Sequence, residues 1–225
     1  THARFEGDIV DQLQIRFMMD WNFCSEDKFC VNDFYYPEKH VKNRLPAQIV
    51  CSGPDTQWRN VKNSYFKMIN EAEKNIYIET PYFAPDDGIL EALKVAALSG
   101  IDVRIIIPAN PDHFFVYWAS MSYLGELLEA GVKCYQYQNG FIHSKTVFVD
   151  GIAATIGTAN MDIRSFGLNF EVNSFIFDED TTKLLENDFL NDLNQCDEIT
   201  YDWYQKRGKL FKFREAVSRL ISPML

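Results

Sequence analysis

Between residues 47 and 107 apolar side chains arrive alternately in short runs and in spaced stripes. Gln48-Ile49-Val50-Cys51 is a run cut off by Ser52-Gly53-Pro54. Val61, Tyr65, Phe66, Met68 and Ile69 then follow at roughly helical spacing. Ile76-Tyr77-Ile78 leads into Glu79 and stops at Pro81, which predicts a strand. Asp86-Asp87-Gly88 suits a helix start, Leu90, Leu93, Ala97 and Leu98 form its apolar stripe, and Gly100 closes it. Val103-Arg104-Ile105-Ile106-Ile107 is the next strand, halted by Pro108. Strand, helix, strand, helix, strand is the grammar of an α/β layer with a mainly parallel sheet.

The second half keeps the theme with tighter spacing. A helix is predicted from Val116 to Ala130, closed by Gly131, and a strand from Val132 to Tyr137. Three apolar runs follow, at Thr146 to Val149, Ala153 to Ile156 and Glu171 to Phe177. Asp178 to Asp180 opens a helix through Leu184, Leu185, Phe189 and Leu193, and the stretch to Leu225 reads as one or two more helices.

Compared with itself, the chain shows an offset repeat. Shifted by 172 positions, Phe5, Asp8, Leu13, Phe17, Asp20, Asn22 and Cys24 coincide with Phe177, Asp180, Leu185, Phe189, Asp192, Asn194 and Cys196. Both stretches read as strand, acidic turn and amphipathic helix ending Asp-x-Asn, which suggests a duplicated unit. On that reading residues 1–24 are the tail of a first repeat whose body is missing. Residues 25–46, with Asn32, Pro37, Asn43 and Pro46, are a linker, and residues 47–225 are a complete second repeat.

Composition narrows the class. Apolar residues make up 47% and charged residues 24%, as in an ordinary globular protein. The balance of 32 acidic to 22 basic residues, net −10, argues against a general nucleic-acid binder, whose basic surface displaces counterions from phosphates. A local positive cluster on a negative protein still suits a phosphate-handling site. No apolar run has the length of a membrane span. The start, Thr1-His2-Ala3-Arg4-Phe5-Glu6, lacks the pattern of a signal peptide and an initiator Met, as expected of a piece of a longer protein. Five cysteines without C-x-x-C pairing predict reduced thiols rather than a zinc site or a disulfide framework.

The chemistry is concentrated in one run. His143, Lys145, Asp150, Gly157, Thr158 and Asn160 have the spacing H-x-K-x4-D-x6-G-T-x-N. Two positions apart on a strand, His143 and Lys145 leave the same face. An imidazole beside an ammonium is a seat for phosphate: the lysine holds fixed charge, and the histidine attacks phosphorus or moves a proton. Thr158 and Asn160, again two apart, offer a hydroxyl and a carboxamide to phosphate oxygens. Asp150, just before Gly151, is better suited to fixing a turn than to chemistry.

This run resembles the HKD motif of the phospholipase D superfamily, with a match at each defining position. Within it, Ile76 to Phe177 resembles the C-terminal half of the bacterial cardiolipin synthases. The residues are Glu79-Thr80-Pro81-Tyr82-Phe83, Gly140 to Thr146, Gly157 to Phe166 and Leu168 to Asn173. Thr1 to Asn22 resembles the segment that follows the first HKD motif of that family. The resemblance implies an α-β-α sandwich with a mixed, largely parallel central sheet. It also implies one active site made from two HKD motifs, with no metal or other cofactor. The implied catalytic set is His143, Lys145, Asp150, Asn160 and Glu171; the implied substrate contacts are Thr158, Arg164, Tyr82 and Phe83.

In that family one histidine forms a phosphohistidine and the other protonates the leaving alcohol. His143, in the second motif, takes the acid–base role by implication, and Glu171 matches the acid that holds the catalytic histidine in the correct tautomer. The implied reaction moves a phosphatidyl group between two phosphatidylglycerol molecules and releases glycerol, at the cytoplasmic face of the cell membrane. The implied partners are phospholipid and an anionic membrane surface, not nucleic acid.

Only one HKD motif is present: His2 and His113 have no lysine two residues on, and His40, although followed by Lys42, has Ala47 where the motif's aspartate would stand. Activity is therefore expected to need a missing N-terminal HKD half or a second chain. Two other readings stay open: a homodimeric single-HKD phosphodiesterase or nuclease, and a catalytically silent half-domain. Arg164 either contacts the head group or makes a surface ion pair. Aromatics from Phe114 to Trp118 are expected in the core, whereas Tyr82 and Phe83 lie past a strand end, where ligand sites gather. The tail carries Lys206, Arg207, Lys209, Lys212, Arg214 and Arg219 against Glu215. Its apolar face (Leu210, Phe213, Val217, Leu220, Ile221) lies on an anionic lipid surface or, as favoured here, packs on the domain.

Overall fold

Ile76 and Ile78 are buried among one set of apolar residues, and Tyr77 between them joins another. That period of two marks a strand with a core on each face. The computed structural model describes residues 1–30, 32–41 and 44–224; Asn43 of the expected linker and the terminal Leu225 lie outside the described residues. In chain order the elements begin with helix α1 (Ile9–Cys24), strand β1 (Ala47–Ser52), α2 (Asn60–Asn70), β2 (Asn75–Glu79) and β3 (Phe83–Ala84). Next come α3 (Asp87–Leu98), β4 (Asp102–Pro108), α4 (Phe114–Glu129), β5 (Lys133–Tyr137), β6 (Thr146–Val149) and β7 (Ala153–Gly157). The last group is β8 (Met161–Asp162), α5 (Ile163–Gly167), β9 (Glu171–Ile176), α6 (Glu179–Leu193), β10 (Cys196–Ile199), α7 (Tyr201–Gln205) and α8 (Lys209–Ile221).

Eight strands form one sheet in the order β1-β9-β7-β6-β2-β4-β5-β10, and β3 pairs with β8 apart from it. Val103, Ile105 and Ile107 of β4 and Val147 and Val149 of β6 join Ile76 and Ile78 under α2, α3 and α4. Ile106 and Phe148 join Tyr77 on the other face, where Phe189 of α6 stacks on the Tyr77 ring at 4.8 Å between centroids. The result is the expected α-β-α sandwich. Several helix starts follow from the sequence: Asp86, Asp162, Asp178 and Thr200 each accept a bond from the backbone N–H three residues on.

Two expectations are corrected. The sheet is mixed but not largely parallel: only β2–β4 and β4–β5 run parallel, and the other five pairings are antiparallel. The physical reason is connection length, since a three-residue turn between β6 and β7 permits only an antiparallel pair. The strand expected before α1 is also absent from residues 1–6. A strand needs a ladder partner, and none of the described strands pairs with this segment. Consistent with that, Phe17 of α1 is exposed, whereas Phe189 at the matching place in α6 is fully buried. Helix α1 instead rests at the sheet edge, where Gln12 Oε1 accepts the Ile49 N–H at 3.1 Å.

Candidate active site

The registers of the central strands gather one end of the sheet into a site. Glu79, at the end of β2, lies opposite Thr146, the first residue of β6, and Thr146 lies opposite Ile156 of β7. Gly157 in turn faces Asn173 of β9, so Glu79, Thr80–Tyr82, His143–Lys145, Thr158–Asn160 and Glu171 converge on one edge. This is the carboxyl end of the parallel strands β2, β4 and β5, where open α/β sheets place their ligands.

His143 and Lys145 stand just ahead of β6 rather than on it, yet burial still alternates through the segment. Ile142, Ser144 and Thr146 are buried, Phe141 and His143 are exposed, and Lys145 is half-buried. Partial burial, and then the neighbouring Lys145 charge, push the His143 imidazole below its ordinary pKa. Burial likewise lowers the Lys145 ammonium, against the attraction of Glu171, Asp162 and Asp112. The ammonium and the imidazole are thus held partly desolvated beside one another, a state that an incoming phosphate relieves.

A groove of about 400 Å³ has a polar wall that includes Tyr82, Asn160, Asp162, Arg164 and Asn169, and the charge of Asp162 acts on Lys145. Its rim is apolar, from Phe114, Phe115 and Met224. His143 borders a separate open depression with Asn139, Phe141 and Asp192. A larger cavity, about 640 Å³, lies between the N-terminal segment and α6, but no residue of the motif lines it. The groove beside the motif is the better candidate because charge and convergent polar groups meet there.

The profile of the family described as "Cardiolipin synthase, PLD-like domain" matches residues 65–193. The cardiolipin synthase of Listeria welshimeri is 53% identical over the whole of this chain, and that of Oceanobacillus iheyensis 49%. The chain belongs to the cardiolipin synthase PLD-like family. It spans about half the length of the curated relatives it matches, 47% for both of these. Among solved structures, phosphatidylserine synthase of Haemophilus influenzae superposes with a TM-score of 0.64 at 16% identity, over 84% of this chain and 50% of its own. Nuc from Salmonella typhimurium, described as a phospholipase D family member, gives 0.61 at 19%, over 70% of this chain and 99% of its own. Both likenesses support the fold.

Not every expected site residue reaches the groove of this PLD-like domain. Asp150 lies at the opposite end of β6, where its carboxylate accepts the N–H groups of Glu73, Lys74 and Asn75 at 2.7–2.9 Å. Phe83 is fully buried in the core because β3 turns it inward against β8, so it is no substrate contact. Tyr82 beside it does reach the groove and donates its hydroxyl to Asp112. Thr158 donates its hydroxyl to Glu171 and accepts the Val172 N–H at 2.9 Å, so its proton is committed inside the protein. Glu171 accepts from Thr158 and from Asn169 at 3.3 Å and makes no bond to His143, which leaves the tautomer role without support within this chain. Arg164 is exposed and forms no ion pair among the described residues, free to meet an anion. Of the aromatic cluster, Trp118 is buried as expected while Phe114 and Phe115 are exposed on the groove rim.

Two residues without an assigned role, Asn173 and Asp162, shape the PLD-like site. Asn173 is fully buried; its amide donates to Tyr65 and Thr155, and its oxygen accepts the Ala159 N–H. It fixes the Gly157–Asn160 loop, and Gly157 has to be glycine because an added Cβ would sit 2.3 Å from the Asn173 side chain. Asp162, buried under the groove, caps α5 and so presents Arg164. Nearby, the Asn160 Oδ1 is buried without a hydrogen-bond partner, an arrangement that costs about 1–3 kcal/mol.

Glu79 supplies the pH dependence. It is buried beneath the His143–Lys145 segment and accepts the Thr146 hydroxyl at 3.3 Å. Burial, and next the charge of Asp192, push its carboxyl up to about 7 from 4.5. The folded protein therefore holds a proton that the unfolded chain releases above about pH 4.5, and stability falls as pH rises through that window to about 7. Glu79→Gln is expected to gain about 2–3 kcal/mol at pH 8 and little at pH 4, by denaturant unfolding at both pH values.

Proposed function

We propose that this chain is the C-terminal catalytic half of a cardiolipin synthase, transferring a phosphatidyl group from one phosphatidylglycerol to the hydroxyl of another. The observation that carries the reading is 53% identity, across the whole chain, with a synthase of which it spans 47%. Asn160 of the motif and the exposed Arg164, in a groove with an apolar rim, support a substrate that joins a phosphodiester to acyl chains.

In this reading the nucleophilic imidazole belongs to the first HKD motif, which is not part of this chain. It attacks phosphorus, the bond from phosphorus to the glycerol oxygen breaks, and His143 donates its proton to that oxygen. The neutral His143 then takes the proton of the incoming hydroxyl, whose oxygen displaces the imidazole and restores it. Lys145 counters charge on the phosphoryl oxygens in both steps. The free imidazole is held low by burial and by Lys145; a bound phosphodiester offsets the lysine's charge and moves His143 toward its acid form.

The reading places the protein at the membrane, on its cytoplasmic face, although no helix of the described residues is long and apolar enough to cross it. Alone, the chain is expected to release no glycerol from phosphatidylglycerol micelles, and adding the N-terminal half restores release. Turnover by this chain as a monomer, fixed by light scattering, overturns the proposal, and so does a nuclease-active homodimer.

A further inference from the structure

Helix α8 is mounted with its polar side inward. Glu215 and Ser218 are buried against the body of the protein, and the Arg207 guanidinium grips the Glu215 carboxylate at both ends, with one contact at 2.9 Å. Phe211 packs edge-on against Trp118 of α4, and Arg219 pairs with Glu126 at 2.6 Å. Those contacts set the rotation of the helix. Rolling it to hide its apolar face would leave the buried Glu215 charge unpaired, the change that buried ion pairs resist most.

The outer side carries the apolar stripe. Leu210, Phe213, Val217 and Leu220 follow the i, i+3, i+4 rhythm, and all are exposed, Phe213 at 66% and Leu220 at 82%. This reverses the favoured expectation that the stripe packs on the domain: the buried Arg207–Glu215 pair decides which side faces in. Lys209 and Lys212 flank the stripe without an ion pair among the described residues, and Lys206 pairs only with exposed Asp202. Met224, just past the helix, is 80% exposed and also lines the groove rim with Phe114 and Phe115.

We propose that α8 docks in the surface of an anionic lipid bilayer, its stripe in the acyl boundary and its lysines at the head groups. The groove mouth at Met224 then opens at lipid level, which gives the phosphatidyl-transfer reading its route of entry and rests on that reading only for its purpose. Charge selects this occupant. Lys209, Lys212 and Arg214 carry no ion pair among the described residues, on a chain of net −10, so an anionic surface is drawn to this face and repelled by the rest. A second copy meeting the same face across a two-fold axis would set lysines against lysines.

Flotation of the full chain tests this with phosphatidylcholine vesicles, alone or mixed with phosphatidylglycerol, and with a third set carrying cholesterol sulfate, which has no phosphodiester. Binding is expected to be at least about tenfold stronger to both anionic sets than to the neutral one. Phe213→Ser with Leu220→Ser, and separately Lys209→Glu with Lys212→Glu, should each lower anionic binding by about tenfold or more, with circular dichroism unchanged. His143→Ala should bind as the parent does. The proposal falls if anionic lipid gives no gain, if the Phe213/Leu220 variant floats like the parent, or if His143→Ala abolishes binding. It also falls if the Phe213/Leu220 change splits a dimer in light scattering without altering flotation. Flotation without turnover in the reconstituted protein leaves the docking standing and removes phosphatidyl transfer; turnover in micelles without flotation does the reverse.

Discussion

His143→Ala is expected to lower phosphatidyl transfer by at least about 10³-fold in the protein completed by its other half, with the fold unchanged. The imidazole is exposed and its nearest ring neighbour is Phe141, at 5.7 Å between centroids, so little packing is lost. A rate within tenfold of the parent would remove His143 from the chemistry. Lys145→Met is the informative companion. It takes away the like charge that holds the imidazole down, so the His143 limb of the pH–rate profile should move to higher pH. The same change weakens phosphate binding, and KM should rise with it. A profile that moved to lower pH would contradict the proximity of the two groups.

Asp150→Ala is expected to do the opposite: a large loss of stability with the activity of each folded molecule preserved. Its carboxylate ties three successive N–H groups between α2 and β2 to the turn between β6 and β7. Bonds to a charged acceptor are worth about 1.5–3 kcal/mol when buried and less near solvent, so about 3 kcal/mol is the expected total. Asp150 also adopts φ 57°, the left-handed region that aspartate and asparagine tolerate better than alanine. Asp150→Asn should therefore fall between the two, keeping the turn and part of the hydrogen bonding. Urea melts supply the stability, and turnover per folded molecule supplies the activity. A folded but inactive Asp150→Ala protein would return this residue to the catalytic set.

The contrast shows what spacing reveals and what it conceals. Periodicity was enough for α2, β2, α3 and β4, because each hides one face and carries its own start or stop, such as Asp86 or Pro108. Early strand–helix alternation overstates parallel order because it says nothing of the β6–β7 hairpin or of the antiparallel pairings made by β9 and β10. Phe83 looked like a ligand contact because its two-residue strand pairs with Met161, nearly eighty positions away. The motif gave the residue types at the site but not their partners. Thr158 turns to Glu171 and Asp150 to the far loop, and both choices depend on chains of contact that no local window contains. Asn173 left one trace, a motif glycine where a larger residue meets its side chain. For α8 the stripe was legible but its facing was not, since the decision belongs to one ion pair across eight residues.

From Phe141 to Thr146 successive side chains turn out and in, with Ile142 seated in the core below Tyr77 and Thr146 entering the ladder. Odd and even positions here have separate duties. Inserting one residue between Ile142 and Lys145 would exchange them, sending a cation inward and a hydroxyl outward, whereas inserting two would keep every side chain in its role. Only an insertion ahead of His143, and of an even number of residues, keeps both this alternation and the spacing of His143 and Lys145.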